Sequence, residues 1–370
     1  MKILVTGANG FLGRNLVEQL RNQGYDELLL CDRNTSESEL EQFSQEAEFV
    51  YHLAGVNRPK KETEFIKGNT EFTEKLLHLL NENPNNPAVM FASSVQAELS
   101  NPYGESKKKA ESFVQAYGEK NQTPVAIYRF PNLFGKWCKP NYNSVIATFC
   151  HNIARDIPVQ VNNTETELTV AYIDDVVKEL ISLLEKSSFN ETSVLYEITP
   201  TYKVKLGELV NLINTFKESR NDLSVPQLNQ NLTKKMYSTY LSYLPEDDFS
   251  YDLTMHVDDR GSFTEFIRTP DRGQLSVNIS KPGIVKGNHW HHTKNEKFLV
   301  VSGQGVIRFR KIGSDNIIEY FVSERKLEVV DIPVGYTHNI ENLGESNMVT
   351  LMWVNEPFDS QHPDTYYTEV

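Results

Sequence analysis

The sequence predicts a chain of two domains, in which a doubly wound parallel α/β sheet precedes an all-β barrel or jelly roll. Over residues 1–130, short apolar runs alternate with helix-like patterns, as in parallel sheets whose helices cover both faces. After Phe249, short runs rich in Val, Ile and Phe alternate with Gly, Pro, Asn and Asp turns, without helical periodicity; this is typical of an all-β domain. With 370 residues, the chain is also long for one domain and suits two.

The strands and helices of the first domain follow from the spacing of its apolar residues. Helical spacing predicts helices at residues 12–23 and 62–80. The run of Asn and Pro at residues 83–87 predicts a turn before the next strand. The predicted strands are the apolar runs at residues 2–5, 27–31, 49–53, 88–92 and 125–128.

The two domains are predicted to meet at residues 245–248, a proline-led acidic segment without periodicity that is interpreted as a linker. Residues 137–243 carry mixed patterns, with helices predicted at 174–186 and 205–217, and are interpreted as a substrate-binding lobe. The predicted domains are residues 1–245 and 250–370. The barrel strands are predicted at residues 262–268, 274–280, 296–302, 305–311, 317–322, 326–332 and 348–354.

Composition and charge limit the partners of the protein. A formal net charge of −13 argues against nucleic acid and anionic membranes, which bind basic surfaces. The three cysteines (Cys31, Cys138 and Cys150) are odd in number and do not suggest a disulfide framework. No targeting segment precedes the first strand, and no apolar run approaches the ~20 residues of a membrane span. We therefore expect a cytoplasmic protein without membrane insertion.

A glycine-rich motif follows the first strand and opens the first helix. Gly7, Gly10 and Gly13 allow a tight turn, close approach of the backbone to a pyrophosphate and close packing of helix on strand. The helix then begins at Phe11 and Leu12, where its free N–H groups favour an anion. This context predicts a dinucleotide-binding site.

Asp32 and Arg33, at the end of the second predicted strand, give opposite indications about which dinucleotide binds. Asp32 would hydrogen-bond the adenosine ribose and favour NAD, whereas Arg33 could pair with a 2′-phosphate and favour NADP. The expected cofactor is NADPH (NADP), because a biosynthetic reduction draws on a reduced pool.

Three further residues indicate proton transfer on a carbinol or ketone. A free tyrosine hydroxyl has a pKa of about 10, too high for action at neutral pH, and a nearby cation favours the phenolate. Tyr103 and Lys107 have the i, i+4 spacing of one helical face, and Ser94 follows a strand where its hydroxyl can hold a substrate oxygen. Together with the glycine motif, these residues predict a catalytic set.

These residues resemble the extended short-chain dehydrogenases/reductases that modify nucleotide sugars, which have a Rossmann-type fold. The resemblance covers residues 1–180 and also rests on residues 50–55 (VYHLAG), Asn69, residues 129–135 (RFPNLFG) and residues 172–176 (YIDDV). It implies that Tyr103 is the general acid, that Lys107 lowers its pKa and binds the nicotinamide ribose, and that Ser94 polarises the carbonyl. The implied cofactor-binding residues are Gly7, Gly10, Phe11, Leu12, Gly13, Asp32, Arg33, Leu53, Ala54, Gly55, Asn69, Ser93, Lys107 and Phe130.

One departure from that family concerns the substrate phosphates. Members often carry an arginine several residues before the Asp-Asp pair, but Leu168 and Thr169 stand there. Phosphate binding in this lobe is therefore expected to use other cations, with Lys139 or Arg155 as candidates.

The all-β part carries a pattern that predicts a metal site. In a strand, His289 and His291 would point to the same face, and Glu296 and His338 would arrive from other strands. These nitrogen and oxygen ligands suit Zn, Mn, Fe or Ni, with Zn as the leading candidate; His292 would lie outside the site. The pattern is Gly283-x5-His289-x-His291-x4-Glu296-x6-Gly303, followed by Pro333-x-Gly335-x2-His338-x3-Asn342.

This pattern resembles a cupin. Its second motif departs from the family only at the leading glycine, where Leu327 stands. The resemblance implies a divalent metal that either acts as a Lewis acid on a ketone or only stabilises the barrel. Cupins commonly pair through their barrels, so a homodimer is expected.

The fusion of the two halves resembles the bifunctional enzymes of capsular-polysaccharide biosynthesis. The resemblance implies a UDP-sugar substrate, a UDP-4-keto-6-deoxy-N-acetylhexosamine that the cupin domain epimerises at C3. The reductase domain would then reduce the C4 ketone with NADPH to UDP-2-acetamido-2,6-dideoxy-L-talose. Candidate epimerase bases are His291, Glu296, Lys286 and Lys294.

Two alternatives stay open. The first is a single-function nucleotide-sugar C4 ketoreductase whose cupin is structural or dimerising. The second is a redox-sensing N-terminal scaffold joined to a metal-dependent dioxygenase or isomerase, against which the intact Tyr103 and Lys107 count.

Overall fold

The contacts within the chain divide it into two compact units. The computed structural model describes residues 1–185, 189, 194–269 and 271–370. The first unit comprises Met1–Asn214 and Leu228–Pro245, and the second comprises Thr215–Gln227 and Glu246–Val370.

Hydrogen bonds explain why the short segment Thr215–Gln227 groups with the second unit. The guanidinium of Arg220 donates to the Asp248 carboxylate at 2.8 Å and to the Ser250 carbonyl at 3.1 Å. The backbone N–H of Arg268 donates to the Leu223 carbonyl at 2.8 Å. The segment is thereby tied to the chain that follows the predicted linker.

Up to residue 241, the described chain consists of short strands interspersed with helices. One helical stretch contains a π-helical turn, Ile66–Glu71, between two α-helical parts. The elements in chain order are β1 (Ile3–Thr6), α1 (Phe11–Asn22), β2 (Leu28–Cys31), α2 (Glu37–Glu46), β3 (Phe49–His52), α3 (Thr63–Phe65), α4 (Phe72–Leu80), β4 (Ala88–Ser94), α5 (Pro102–Asn121), β5 (Val125–Phe130), β6 (Asn132–Phe134), α6 (Val145–Ile153), β7 (Glu167–Tyr172), α7 (Ile173–Glu185), β8 (Val194–Tyr196), β9 (Tyr202–Lys205), α8 (Leu206–Glu218) and α9 (Asn231–Leu241).

Six of these strands form a parallel sheet in the order β2-β1-β3-β4-β5-β8. The order reverses at β1, so that β1 and β3 lie side by side although β2 comes between them in the chain. Open parallel sheets bind ligands at such a switch point, beyond the carboxyl ends of the strands. The glycine-rich loop after β1 and the segment after β3 therefore meet there.

Helices cover both faces of this sheet. Ile3 and Val5 belong to one buried cluster and Leu4 to another, as alternation along a strand requires. The first cluster includes Leu16 of α1 and Leu180 of α7, whereas the second includes apolar residues of α4 and α5. The predicted doubly wound sheet is confirmed, and its predicted strands and helices end within two residues of the observed ones. Lys186, the last residue of one predicted helix, lies outside the described residues.

The rest of the second unit is all β. Its strands form two antiparallel sheets, which share a buried cluster that includes Phe298 and Val300 from one sheet and Ile307 and Ile340 from the other. The strands are β10 (Met255–Asp258), β11 (Gly261–Thr269), β12 (Gly273–Ser280), β13 (Val285–Trp290), β14 (Glu296–Ser302), β15 (Gln304–Lys311), β16 (Ile317–Ser323), β17 (Val330–Ile332), β18 (Tyr336–Asn342), β19 (Met348–Val354) and β20 (Tyr366–Tyr367). The sheet orders are β10-β11-β12-β19-β14-β17 and β16-β15-β18-β13-β20. The predicted barrel fold is confirmed.

The sequence prediction was wrong for parts of this domain. The predicted strand at residues 326–332 is a strand only at Val330–Ile332, because a turn follows β16. Strands β10 and β20 were not predicted. Strands β13 and β18 were expected only as the strands that carry His289 and His338, and their bounds were not predicted because polar side chains replace the inward apolar residues that identify a strand.

The chain carries three buried cysteines, none of them in a disulfide. Among the described residues, no helix has both the length and the apolar character needed to cross a bilayer. The cytoplasmic location expected from the sequence stays a prediction.

Candidate functional site

The glycine-rich loop has no room for side chains. Gly7 has a φ of +70°, and a Cβ on it would lie 2.8 Å from the backbone nitrogen of Ala54. A Cβ on Gly13 would overlap the carbonyl oxygen of Gly7. Gly10 is the N-cap of α1 and offers no side-chain hydrogen bond to the first turn. The loop and the uncapped helix therefore form a cradle whose N–H groups suit a pyrophosphate.

Asp32 and Arg33 lie at the end of β2, next to this loop. The Asp32 carboxylate accepts a hydrogen bond from the backbone N–H of Asn34 at 2.7 Å and another from the side-chain amide of Asn9 in the glycine loop. The Arg33 side chain is exposed. In this structure the carboxylate has protein partners, while the guanidinium beside it faces solvent.

Asn69 joins the segment after β3 to helix α5. It lies in the π-helical turn, a form that often marks functional sites. Its side-chain oxygen accepts from the Val56 N–H at 2.7 Å, and its amide donates to the Val56 carbonyl at 3.0 Å and to the Ser106 hydroxyl at 2.9 Å. A Cβ on Gly55 would lie 3.0 Å from the Asn69 oxygen and 3.2 Å from the Lys107 ammonium. The segment containing Leu53, Ala54 and Gly55 is thereby held against Lys107.

The three candidate catalytic residues come from the end of β4 and the start of α5. Asn101 caps α5 by accepting from the Gly104 N–H at 2.8 Å, which fixes the turn that carries Tyr103. The Lys107 ammonium is buried and donates to the Ala92 carbonyl at 2.7 Å. The structure thus brings Ser94, Tyr103 and Lys107 to the carboxyl edge of the parallel sheet, near the glycine loop and residues 53–55.

Burial has the largest effect on the pKa values of the candidate pair Tyr103 and Lys107. Burial lowers the pKa of Lys107 to about 8, against the opposing effect of the Glu111 carboxylate. Burial also raises the pKa of Tyr103, and a hydrogen bond with Ser94 offsets part of that rise. The net direction for Tyr103 is opposite to the lowering expected from Lys107, because desolvation of the phenolate is the larger effect. A protonated phenol is the form that can give a proton to a carbonyl oxygen.

Ser93 and Phe130 take structural positions next to the catalytic residues. The Ser93 hydroxyl donates to the buried Glu111 carboxylate at 2.5 Å, and Arg129 donates to the same carboxylate at 2.9 and 2.7 Å. The Phe130 ring stacks on Tyr128 with 5.8 Å between ring centroids. The contacts with Glu111 hold the ends of β4 and β5 against α5, and the cofactor binding expected of Ser93 and Phe130 stays a prediction.

The two glycine-motif residues Phe11 and Leu12 are half-buried and pack against the core that contains α1.

Of the two candidate phosphate ligands, Arg155 already donates to the carbonyls of His151 and Tyr243, at 3.2 and 2.7 Å. Its guanidinium thus joins the last turn of α6 to the backbone at Tyr243. Lys139 lies over the Tyr142 ring, 5.6 Å from its centroid.

The four predicted metal ligands converge in the second unit. His289 lies in β13, Glu296 in β14 and His338 in β18, and His289 pairs directly with His338 across the sheet. His291 lies just past the end of β13, so the expectation that it shares a strand with His289 was wrong, yet its ring still reaches the cluster. One ligand atom of each residue lies within 4.8 Å of the others. His292 is exposed and lies outside the cluster.

Several buried polar atoms of this cluster have no hydrogen-bond partner. They are Nε2 of His291, Oε2 of Glu296 and both ring nitrogens of His338. The closest approaches are 3.1 Å between His338 Nε2 and Glu296 Oε2, and 3.6 Å between His291 Nε2 and Glu296 Oε2. Unpartnered buried polar atoms are costly, and a bound cation would satisfy the Glu296 oxygen and one nitrogen of each histidine ring. The donor set of three imidazoles and one carboxylate fits a divalent metal.

The electrostatics of the cluster also suit a metal. Burial lowers the pKa of His289 to about 4, with the neighbouring His338 adding to the effect. The pKa of Glu296 falls to about 2, because the hydrogen-bonding and charge effects of His291 and His338 outweigh burial. For His291, the Glu296 and Asp364 contacts outweigh burial and raise the pKa. A neutral His289 beside an ionised Glu296 has the lone pairs that metal binding requires.

A cavity of about 620 Å³ opens onto the ligands His289, Glu296 and His338. Lys286 also lines it, and its ammonium donates to the Asn278 side-chain oxygen at 2.8 Å and to the Ile279 carbonyl at 2.9 Å. The cavity is therefore large enough for a sugar-sized ligand and carries one lysine near the cluster.

Lys294 has a structural position away from this cavity. It is buried, donates to the Pro363 carbonyl at 2.8 Å and is not among the residues that line the cavity. Sequence reasoning missed Asn278 and Asp364, which contact Lys286 and His291 respectively. No sequence signal links Asp364 to a histidine 73 residues away.

The chain matches known families over both halves. The model of the NAD dependent epimerase/dehydratase family matches residues 3–198, and that of the polysaccharide biosynthesis C-terminal domain matches residues 256–366. A UDP-2-acetamido-2,6-beta-L-arabino-hexul-4-ose reductase of Pseudomonas aeruginosa is 45% identical over 370 residues, which are 100% of this chain and 99% of that protein.

Solved structures extend the likeness to the whole fold. The crystal structure of the capsular polysaccharide assembling protein CapF from Staphylococcus aureus has a TM-score of 0.94 and 57% identity, over 100% of both chains. MoeE5, solved in complex with UDP-glucose and NAD, has a TM-score of 0.52 and 23% identity over 58% of this chain and 81% of that chain, a likeness of fold alone. These findings confirm the resemblance to capsular-polysaccharide biosynthesis enzymes. The chain belongs to the NAD dependent epimerase/dehydratase family, with a polysaccharide biosynthesis C-terminal domain as its second half.

Proposed function

We propose that this protein is a bifunctional enzyme that acts on a UDP-4-keto-6-deoxy-N-acetylhexosamine. Its cupin domain epimerises C3, and its reductase domain reduces the C4 ketone with NADPH to give UDP-2-acetamido-2,6-dideoxy-L-talose for capsular polysaccharide synthesis. The observation that carries the proposal is a complete proton-transfer set in one unit and a four-ligand cluster over a cavity in the other. The name of the Pseudomonas aeruginosa relative, a reductase of a UDP-linked 4-ketosugar, supports the substrate class.

For the reduction, the proposal assigns the proton to Tyr103. When bound, NADPH supplies a hydride to C4 of the ketone. The Tyr103 phenol, protonated because burial raises its pKa, donates its proton to the carbonyl oxygen. Ser94 holds that oxygen, and Lys107 stabilises the phenolate that remains. The pyrophosphate would lie on Gly7, Gly10 and Gly13, in the cradle that any Cβ would fill.

Tyr103→Phe is expected to lower NADPH oxidation with the keto sugar by roughly 10²–10⁴-fold, because the general acid is lost. The affinity for NADPH, measured by fluorescence titration, is expected to stay within about twofold because the phenol does not hold the pyrophosphate. A variant that keeps full turnover would show that another group supplies the proton.

NADPH is proposed over NADH because the Asp32 carboxylate already has hydrogen-bond partners whereas the Arg33 guanidinium is exposed. Arg33→Ala is expected to raise the KM for NADPH by roughly 10–100-fold, the loss of a charge-assisted hydrogen bond. The KM for NADH, which has no 2′-phosphate, is expected to be unchanged. Initial rates with both cofactors measure this, and an equal effect on both would contradict the assignment.

For the epimerisation, we propose a zinc ion on His289, His291, Glu296 and His338, where it would polarise the C4 carbonyl of the substrate. The support is the set of buried atoms without hydrogen-bond partners and the nitrogen and oxygen donors that zinc accepts. The acidity of the C3–H bond comes from the neighbouring C4 ketone. Epimerisation must therefore precede the reduction that removes this ketone.

The structure supports Lys286 as the group that takes the C3 proton. Lys286 and His289 would face opposite sides of a regular strand, but a bulge lies between Gly287 and His289, and Asn288 has a φ of +60°. The extra residue places both side chains in the cavity. Burial lowers the pKa of Lys286, and Arg260 adds to this while Asp258 opposes it. Because its pKa is lowered, Lys286 is in the neutral amine form more often than a lysine in water.

In the proposed step, the C3–H bond breaks and its proton moves to Nζ of Lys286. The electron pair delocalises to the C4 oxygen as an enolate. Water then gives a proton to the opposite face of C3, where the enolate electron pair forms the new C–H bond. The hydroxide left behind takes the proton from the Lys286 ammonium, which restores water and the neutral amine. His291 and Glu296 are left to the metal, and Lys294 is not among the residues that line the cavity.

Lys286→Met is expected to slow the incorporation of deuterium at C3 in D₂O by at least about 100-fold. Proton NMR of the sugar, without NADPH, measures the exchange, and zinc content checks that the metal site is intact. Lys297→Met is the matched control, because Lys297 is exposed and pairs with Asp331. Exchange at the wild-type rate in Lys286→Met would exclude this base, and no exchange in the wild type would favour a single-function ketoreductase.

We also propose a homodimer formed through β16, an edge strand of its sheet. Its side chains include Phe321, exposed to 68%, together with the half-exposed Ile317 and Tyr320. Apolar side chains along a free edge favour association.

Light scattering is expected to give twice the chain mass for the wild type. Phe321→Glu is expected to weaken the dimer by at least about tenfold, because a charge enters an apolar interface. Phe249→Glu is the control, since Phe249 directly follows the predicted linker and is exposed to 66%. A wild-type monomer, or a Phe321→Glu dimer of unchanged affinity, would contradict the proposal.

A further inference from the structure

The C-terminal segment of the chain contacts the strand and the turn that carry the candidate metal ligands His289 and His291. Strand β20 pairs with β13 at His289 and Trp290, and the Thr368 N–H donates to the Asn288 carbonyl at 3.0 Å. The Lys294 ammonium donates to the Pro363 carbonyl at 2.8 Å. The strand that carries His289 is therefore clamped by residues more than 70 positions later in the chain.

Asp364 is the most heavily bonded residue of this segment. Its carboxylate accepts from the backbone N–H groups of His292, Thr293 and Lys294, at 3.0, 2.9 and 2.9 Å, and from the Thr293 hydroxyl at 3.0 Å. These bonds lower the pKa of Asp364 far below its usual range, although burial opposes them. The carboxylate thus holds the turn that directly follows His291.

The backbone of Asp364 also contacts a candidate ligand. Its carbonyl oxygen lies 2.5 Å from Nδ1 of His291. A carbonyl oxygen can only accept, so Nδ1 must carry the proton and donate it. In the neutral ring, Nε2 then carries the lone pair, and Nε2 is the nitrogen that lies 3.6 Å from Glu296 without a hydrogen bond. The contact selects the tautomer that a metal requires.

We propose that Asp364 is a positioning residue of the metal site, which fixes the orientation and the tautomer of His291 from the C-terminal segment. The inference rests on the metal site of the proposed function and goes beyond it, because Asp364 is not a ligand. Its carboxylate sets the turn, and the turn sets the distance between the Asp364 carbonyl and the His291 ring.

Metal affinity and tautomer can be measured on the full-length protein. Asp364→Ala is expected to weaken Zn²⁺ binding by roughly 10–100-fold in competition with a chromophoric chelator, the usual effect of losing an outer partner of a histidine ligand. Asp364→Asn keeps one acceptor oxygen, and its Zn²⁺ affinity is expected to lie between those of the wild type and Asp364→Ala. Asp359→Ala is the matched control, since Asp359 lies in the same segment and its hydrogen-bond partners in the described chain are Gln361 and His362.

A second readout does not depend on bound metal. Nitrogen-15 NMR of the histidine rings in the zinc-free protein is expected to show His291 protonated at Nδ1 in the wild type, and mixed tautomers in Asp364→Ala. Unchanged zinc affinity and an unchanged tautomer in Asp364→Ala would overturn the inference. If Asp364→Ala does not fold, Asp364→Asn decides by the same two measurements.

The outcomes separate the two proposals. A wild type that binds no Zn²⁺ would remove the metal site of the proposed function, while the tautomer would still test the contact with Asp364. A wild type that binds Zn²⁺, with neither its affinity nor the His291 tautomer dependent on Asp364, would leave the metal site and remove the positioning role.

Discussion

A buried polar group must find a partner, and this constraint organises both units of the protein. At the ends of β1 and β3 in the first unit, the chain itself supplies these partners. Buried His52 donates and accepts between the hydroxyls of Thr6 and Thr73, at 2.8 Å on each side, and Thr6 in turn accepts from the Ala54 N–H. Burial lowers the pKa of His52 to about 3, so the ring stays neutral. The polar network therefore fixes the ends of β1 and β3, where the cofactor cradle lies.

In the second unit, several buried polar atoms that lie close together have no such partner, and this concentration indicates the candidate site. The unpartnered atoms of the described residues include a cluster on His291, Glu296 and His338. A cation bound between these side chains would give them a partner and offset the unfavourable free energy of burying them. On the proposed function, the first site would take an organic cofactor into a backbone cradle, whereas the second would take an ion that balances side chains. The two sites would then carry out two successive steps on one ketone, since the enolisable ketone must survive until the epimer has formed.

The sequence predicts what depends on short segments of chain. The glycine loop, Ser94, Tyr103 and Lys107 are recognisable because each role is set by a strand end or by one helical turn. The four metal ligands are recognisable by their spacing, even though His291 lies outside the strand that was expected to hold it. A single strand register predicts that Lys286 faces away from His289, and only the bulge at residues 287–289 reverses this.

Other features could not be predicted from the sequence because they join distant segments. Asp364 contacts His291 across 73 residues, and nothing in the local pattern of either segment indicates the contact. The net direction of the Tyr103 pKa also needed the structure, because burial depends on the packing around α5. The strand predicted at residues 326–332 was wrong over most of its length. Its β-forming residues Leu327 and Val329 are exposed and lie outside the sheets.

The most direct test of the account follows the origin of two hydrogens in one product. The wild-type protein, loaded with Zn²⁺, would convert a UDP-4-keto-6-deoxy-N-acetylhexosamine in D₂O with unlabelled NADPH, and NMR would locate deuterium in the product. The account predicts deuterium at C3, from solvent during epimerisation, and protium at C4, from the cofactor. Protium at both positions would contradict it, because the ketone would then have been reduced without passing through an enolate.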